Sequence, residues 1–268
     1  MTSRYVEHVM GMPISLALRG RHTDDAAALQ AWEEALEILR EADRVFSTYR
    51  PDSYISRLNR GELRVADCPP EVAEVLALGE QARVQSGGAF DVRRSGALDP
   101  SGVVKGWAVE RAAHALDTLP DTDYCISAGG DMTCRVTSPE SPAWRVGIED
   151  PHDRNRVVAV VPIRNGAVAT SGLTHRGNHI VDARTGVTPV ALASVTVVHR
   201  SLTWADIDAT AAFALGADAL TWLATRPGRT GLVILHDGTR RLYGRSSTRA
   251  ITSSTSVGGM GRWATNLR

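Results

Sequence analysis

The chain reads as an α+β protein, a single large mixed domain of β-sheet with packed helices. Two observations lead there. Its 268 residues are 43% hydrophobic, enough to bury one large core. Helix-period and β-rich runs also alternate in mixed order, with no internal repeat and no regular β-α-β succession.

Met10 to Leu18 alternates loosely and reads as an opening strand. Asp24 and Asp25 precede a long helix with apolar residues at Leu29, Trp32, Leu36, Leu39 and Val45, stopping near Ser47. Arg50-Pro-Asp-Ser53 is a turn. Pro70 to Gln85 is a second helix, with Gly87-Gly88 in C-cap position. Gly102 to Leu116 holds a third. Tyr124 to Ser127 and Met132 to Val136 are short strands around a glycine turn. Val157 to Ile163, Ser194 to His199 and Gly231 to Leu235 are further β-rich runs, and Ala205 to Leu215 and Ala217 to Ala224 are helices. We take residues 1–244 as the domain. The Ser-, Thr- and Gly-rich segment 245–268 is expected to be a tail, part edge strand and part mobile end.

Lys plus Arg and Asp plus Glu are equal at 30 each, so no basic face points to nucleic acid or an anionic membrane. No stretch approaches the length of a membrane span, so none is expected. The segment from Met1 to His8 has neither an apolar leader core nor an early cysteine for a lipid anchor, which leads us to expect a cytoplasmic protein. Cys68, Cys125 and Cys134 have no ligand-type spacing and are expected to be reduced thiols, the last two in strands.

Several segments carry more glycine and polarity than packing requires. They are Met10-Gly-Met-Pro13, Phe46 to Ser53 followed by Ile55 to Asn59, Ser86 to Asp91, Asp99 to Gly106, and Ala128-Gly-Gly-Asp131. Glycine pairs let backbone approach a bulky ligand and aim amides at phosphate oxygens, or they simply make turns. Lys105, at the start of a helix, would reinforce an anion site. No phosphate-loop or dinucleotide-fold glycine pattern is present, and Ser256 to Gly261 only imitates one. A further segment runs from Ala169 to Gly172 and on through His175 and Asn178 to Gly186. In it His179 sits among polar and glycine residues. It could be a general acid or base, or a structural histidine bonded to Asp182 or to backbone.

The segment Thr203 to Gly216 is the most informative. Asp206 and Thr210 share a helix face at i, i+4 in an otherwise apolar helix. They could supply hard oxygen ligands to Mg²⁺. Alternatively Asp206 caps the helix, with Thr210 bonding back to the preceding turn.

Taken together and in order, these segments resemble the FAD:protein FMN transferase (ApbE) family, from about Met10 to about Gly216. The resemblance rests on the opening Met-Gly-x-Pro, Ser47-Thr-Tyr-Arg-Pro-Asp-Ser53, Gly87-Gly-Ala-Phe-Asp91, the Asp99 to Gly106 run ending in Lys-Gly, Ala128-Gly-Gly-Asp131, Ala169-Thr-Ser-Gly172, His179-Ile-Val-Asp182 with Arg184-Thr-Gly186, and Ala205-Asp-Ile-Asp-Ala-Thr210. It implies an ApbE-like, T-fold-like domain. It implies an enzyme that uses Mg²⁺ to cleave FAD, its substrate, transfers FMN to a Ser or Thr hydroxyl of an acceptor protein, and releases AMP. A hydrolase giving FMN and AMP, or a flavin-binding module without chemistry, are the alternatives.

Carried over by motif, Asp206 and Thr210 would hold the metal, with the Gly102 backbone carbonyl. Met10, Tyr49, Ala89, Phe90, Asp91, Asp99, Lys105 and the backbone at Ile180 would line the FAD site. Lys105 and His179 would be the catalytic groups, His179 as base, with Asp182 orienting it or acting in its place. Asp208, two residues from Asp206, points elsewhere on the helix and is not counted a ligand. The chain departs from the family pattern at Met12, Pro100, Val104 and Ala183, and only Val92 to Leu98 separate Asp91 from Asp99, where many members carry a longer insert.

Overall fold

The computed structural model describes residues 2–94, 96–172 and 180–244. The chain opens with β1 (Thr2–Val9) and β2 (Met12–Gly20), then α1 (Ala26–Phe46), α2 (Tyr54–Asn59) and α3 (Pro70–Gln85). A small hairpin, β3 (Arg93–Arg94) and β4 (Ala97–Leu98), leads into α4 (Ser101–Leu116). Five strands follow: β5 (Thr122–Ala128), β6 (Asp131–Arg135), β7 (Trp144–Asp150), β8 (Asp153–Ile163) and β9 (Gly166–Gly172). The described chain ends with β10 (Leu192–His199), α5 (Leu202–Leu215), α6 (Ala219–Ala224), β11 (Thr230–Leu235) and β12 (Arg240–Tyr243). The expected α+β class is what is found.

Eight strands make one antiparallel sheet in the order β1-β2-β5-β6-β9-β10-β11-β12, and β7 and β8 pair separately. The pleat sends alternate residues to opposite faces. Ile14, Leu16, Leu18, Ile126, Val195 and Val197 face one core with α1, α4 and α5. Ala17, Cys134, Val168, Ala193, Leu232 and Ile234 face a second core built with Trp144, Val146, Ile148, Val158, Val161 and Ile163 of the β7–β8 pair. The sheet is therefore covered by helices on one side and by a β-ribbon on the other.

Helix starts follow local chemistry. Asp25 caps α1 by accepting the Ala28 amide, as the acidic pair before that helix leads one to expect. Leu29 is half-exposed; alanines at 28, 31, 35 and 42 fill the buried stripe beside Trp32, Leu36 and Leu39. α5 is capped by Ser201, whose hydroxyl accepts the Trp204 amide. The capping alternative for Asp206 thus falls, because that residue lies in the second turn. Glu110 of α4 supports the same start, accepting the Thr203 amide at 3.0 Å and the Ser201 hydroxyl at 2.9 Å.

The run Leu202–Ala224 is long and apolar enough to cross a membrane, against the sequence expectation that no stretch comes near. Its all-round apolarity has a local cause: α5 lies between α4 and the sheet at β9 and β10 and is buried on nearly every side. The opening strand begins earlier than expected. Thr2–Val9 pairs with β2 through a two-residue turn at Met10 and Gly11, both with positive φ, 56° and 70°. Cys125 and Cys134 face each other across β5 and β6, and Cys68 is likewise a free thiol. The 245–268 tail lies outside the described residues.

Candidate functional site

The polar residues singled out in sequence gather at one end of the sheet, where β2 begins, β5 ends, β6 begins and β9 ends. Two helices meet there. α4 and α5 run antiparallel and touch through glycine: a Cβ on Gly106 would lie 2.8 Å from the Leu202 carbonyl oxygen and 2.9 Å from the Asp206 Cβ. One turn earlier, a Cβ on Gly102 would meet the Phe90 ring at 3.0 Å and the Thr210 methyl at 3.9 Å. Gly102 therefore sits opposite Thr210, and Gly106 opposite Asp206.

This contact buries Asp206, which is 2% exposed. Its Oδ2 accepts the Gly106 amide at 3.0 Å, and its Oδ1 lies 3.3 Å from the Lys105 ammonium. The same ammonium pairs with Asp131, the first residue of β6, itself 1% exposed. Asp131 Oδ1 accepts the Thr170 amide of β9 at 2.9 Å. Beside it, the Ser171 and Thr210 hydroxyls are 3.1 Å apart. Burial pushes the Asp206 carboxyl up to about 7, held back by Lys105 and raised further by Asp131. For Lys105, burial favours the neutral amine, but the two carboxylates more than offset it and hold the proton well above the ordinary lysine range.

The remaining expected residues sit around this centre. Met10 occupies the β1–β2 turn, near the glycine turn of Gly129 and Gly130, since Met12 sulfur would lie 3.5 Å from a Cβ on Gly129. Ala89 and Phe90 are buried with side chains in the core, so this segment offers a ligand its backbone and Asp91 rather than an aromatic face. Asp91 accepts the Arg93 amide at 2.8 Å, and Asp99 accepts the Ser101 hydroxyl at 2.7 Å just before α4. Ile180 is buried, and the Ala89 carbonyl accepts the Ala183 amide at 3.0 Å, tying the 87–91 segment to the 182–187 turn. Tyr49 lies on the loop after α1, 94% exposed. His179 lies outside the described residues.

Asp182 is paired with Arg184, which grips its carboxylate at 2.7–3.1 Å, and that pairing holds its carboxyl below the ordinary range. Asp208 points away from Asp206, as its spacing on the helix leads one to expect, and pairs with Arg226 at 3.0 Å and Arg229 at 2.7 Å. Sequence reasoning missed the roles of Asp131, Ser171 and Asn59. Asn59 holds the residue before Asp99 in place, donating to the Leu98 carbonyl at 2.9 Å and accepting its amide at 2.7 Å. For Asp131 and Asn59 the only signal was membership of a motif, since their partners lie far along the chain.

A surface cleft of about 310 Å³ lined by Arg19, Asp123, Thr137 and Ser138 lies at the opposite end of β2 and β5. Its main charges are already matched, Arg19 bonding Asp123 at 2.9 Å.

The ApbE family model matches residues 10–95 and 92–234. This chain belongs to the ApbE family. It is 30% identical to the FAD:protein FMN transferase of Salmonella typhimurium over 152 residues, 53% of this chain and 43% of that protein. It is 34% identical to the transferase of the same description from Treponema pallidum over 161 residues, 52% of this chain and 44% of that one. The chain thus matches less than half the length of these relatives. Its fold is similar to the ApbE protein of Thermotoga maritima, with a TM-score of 0.80 at 20% identity, covering 90% of this chain and 97% of that one. It is similar also to the flavin transferase ApbE from Vibrio cholerae, with a TM-score of 0.76 at 21% identity, covering 92% and 98%.

Proposed function

We propose that this ApbE-family chain is a Mg²⁺-dependent FAD:protein FMN transferase. It would cleave FAD, join FMN by a phosphoester to a Ser or Thr hydroxyl of an acceptor protein, and release AMP. The observation that carries the reading is the buried oxygen cluster at the α4–α5 contact, with a lysine aimed into it. Relatives described as FAD:protein FMN transferases support it.

The residues present suit Mg²⁺. Asp206, Thr210 and Ser171 are hard oxygen donors. Burial pushes the Asp206 carboxyl up to about 7 even with Lys105 beside it, and a cation bound there would hold it ionised. The Gly106 amide would, by helical spacing, bond the Gly102 carbonyl. Gly102 lies opposite Thr210, and its backbone carbonyl is proposed as a further oxygen donor. Among the described residues, no three His, Cys, Asp or Glu side chains converge on one point. That suits an ion that keeps part of its coordination for water and substrate phosphates.

When bound, Mg²⁺ would offset diphosphate charge and stabilise the AMP leaving group. Lys105 donates to the same phosphate oxygens, and its buried position strengthens that contact. The amides around Gly87–Asp91 and Gly129–Asp131 approach the ligand without side-chain bulk. His179 is proposed as the base that takes the acceptor hydroxyl proton.

The test is incubation with FAD, with and without Mg²⁺, together with a flavin-acceptor domain from the same genome. In-gel flavin fluorescence and AMP release are read together. A fluorescent acceptor with AMP, only when Mg²⁺ is present, is expected. Free FMN and AMP beside a dark acceptor would indicate a hydrolase, and absence of cleavage a binding module. Asp206→Ala is expected to abolish cleavage while the far-UV spectrum of the fold is kept; retained turnover would overturn the metal assignment.

A further inference from the structure

Lys105 is shared between two carboxylates that arrive from different parts of the fold, Asp206 from α5 and Asp131 from β6. In the reading above, Asp206 is a cation ligand. A divalent ion there repels an ammonium 3.3 Å from the same carboxylate. A lysine carries its charge on a flexible four-carbon stem. With Asp206 as its sole anchor, it would lose its aim at the moment the site loads.

Asp131 is built to prevent this. It is 1% exposed and starts β6 directly after Gly129 and Gly130, both at positive φ. Its Oδ1 is fixed by the Thr170 amide at 2.9 Å, which leaves Oδ2 to face Lys105. The bond to Thr170 needs only an acceptor, which an asparagine would supply equally well. A buried carboxylate costs far more to desolvate than an amide. The charge at this position is therefore explained by Lys105 and not by the turn.

We infer that Asp131 is the positioning residue for Lys105, holding its ammonium toward the substrate phosphates once Asp206 is taken up by a divalent cation. The inference rests on the transferase reading. In the unloaded site Lys105 already sits on Asp131 and keeps a longer contact of 3.3 Å to Asp206, the contact that a bound cation would replace.

The test uses Mn²⁺ as probe, its binding to the whole protein followed by electron paramagnetic resonance without FAD or acceptor. Asp131→Asn keeps the acceptor for Thr170 and removes the charge. With Asp131 neutral, Lys105 falls back on Asp206 and competes with the metal, so Mn²⁺ affinity is expected to fall about tenfold, within the range for coupled contacting residues. In a Lys105→Met background the same substitution is expected to change affinity less than about twofold, because the competitor is gone. Lys105→Met alone is expected to bind Mn²⁺ at least as tightly as the wild type, which keeps the test open should Asp131→Asn fail to fold. In FAD cleavage, Asp131→Asn is expected to lower kcat more than it raises KM. Unchanged Mn²⁺ affinity in Asp131→Asn, equal loss in both backgrounds, or weaker binding by Lys105→Met would each overturn the inference while the wild type still binds Mn²⁺. A wild type that binds no Mn²⁺ would overturn the cation site itself, and this inference with it.

Discussion

Gly106→Ala probes the contact on which the site depends. The added methyl would lie 2.8 Å from the Leu202 carbonyl oxygen, 2.9 Å from Asp206 Cβ and 3.1 Å from Thr203 Cα. Two of these atoms are backbone and cannot rotate away. Restoring ordinary contact near 3.5 Å requires α4 and α5 to part by roughly 0.5 Å. Overpacking of this kind costs about 1–3 kcal/mol, and replacing a helical glycine by alanine returns about 1 kcal/mol. The net loss is up to about 2 kcal/mol, which lowers the melting temperature by up to roughly 8 °C in a chain of this size. The same separation stretches the 3.0 Å bond from the Gly106 amide to Asp206. A displacement of half an ångström at reacting groups is expected to lower turnover about tenfold. Calorimetry and Mg²⁺-dependent AMP release are the assays. A variant with wild-type melting and wild-type turnover would refute the claim that these helices must touch at Gly106 to hold Asp206 in place.

Two further outcomes follow from groups outside the site. Asn59→Ala removes both bonds to the Leu98 backbone, and is expected to cost about 1–3 kcal/mol; the faster amide exchange should be confined to Leu98 and its hairpin. Asp123 is 3% exposed; burial pushes its carboxyl up, but the Thr137 amide, Arg19 and the Thr137 hydroxyl more than offset this and hold it below the ordinary range. Its stabilisation is therefore fully present above about pH 4 and lost as pH falls through its lowered value. The stability gap between wild type and Asp123→Asn should narrow below pH 4 in urea titrations; a gap independent of pH would show that Asp123 acts without its charge.

What the sequence made legible follows from the range of the forces involved. α1, α3, α4 and α5 announced themselves through local signals: the acidic cap at Asp25, proline at Pro70 with glycines after Gln85, and apolar periodicity. β1 did not, because Thr2–Val9 is a mostly exposed edge strand and its turn uses Met10 at positive φ in place of a recognisable Asn-Gly pair. β7 was missed as well, because it belongs to a separate ribbon whose partner is only β8. At the site, helical spacing put Asp206 and Thr210 on one face, which the structure shows turned toward α4. The meeting of Lys105 with Asp131 was not legible, since it depends on the crossing of α4 over a sheet whose neighbours are far apart in sequence.

Asp206 and Asp208 are two residues apart on α5, about 200° around its axis. One faces Lys105, the other Arg226 and Arg229. An almost wholly apolar cylinder packed between a helix and a sheet would otherwise have little to choose among neighbouring rotations about its long axis. The two acids act as opposed keys in a shaft, each fixing the roll that the other needs. Damage to the arginine side, remote from any substrate, would thus be felt as a misaligned oxygen at Asp206. Mutations that impair this protein should accordingly cluster on both sides of α5.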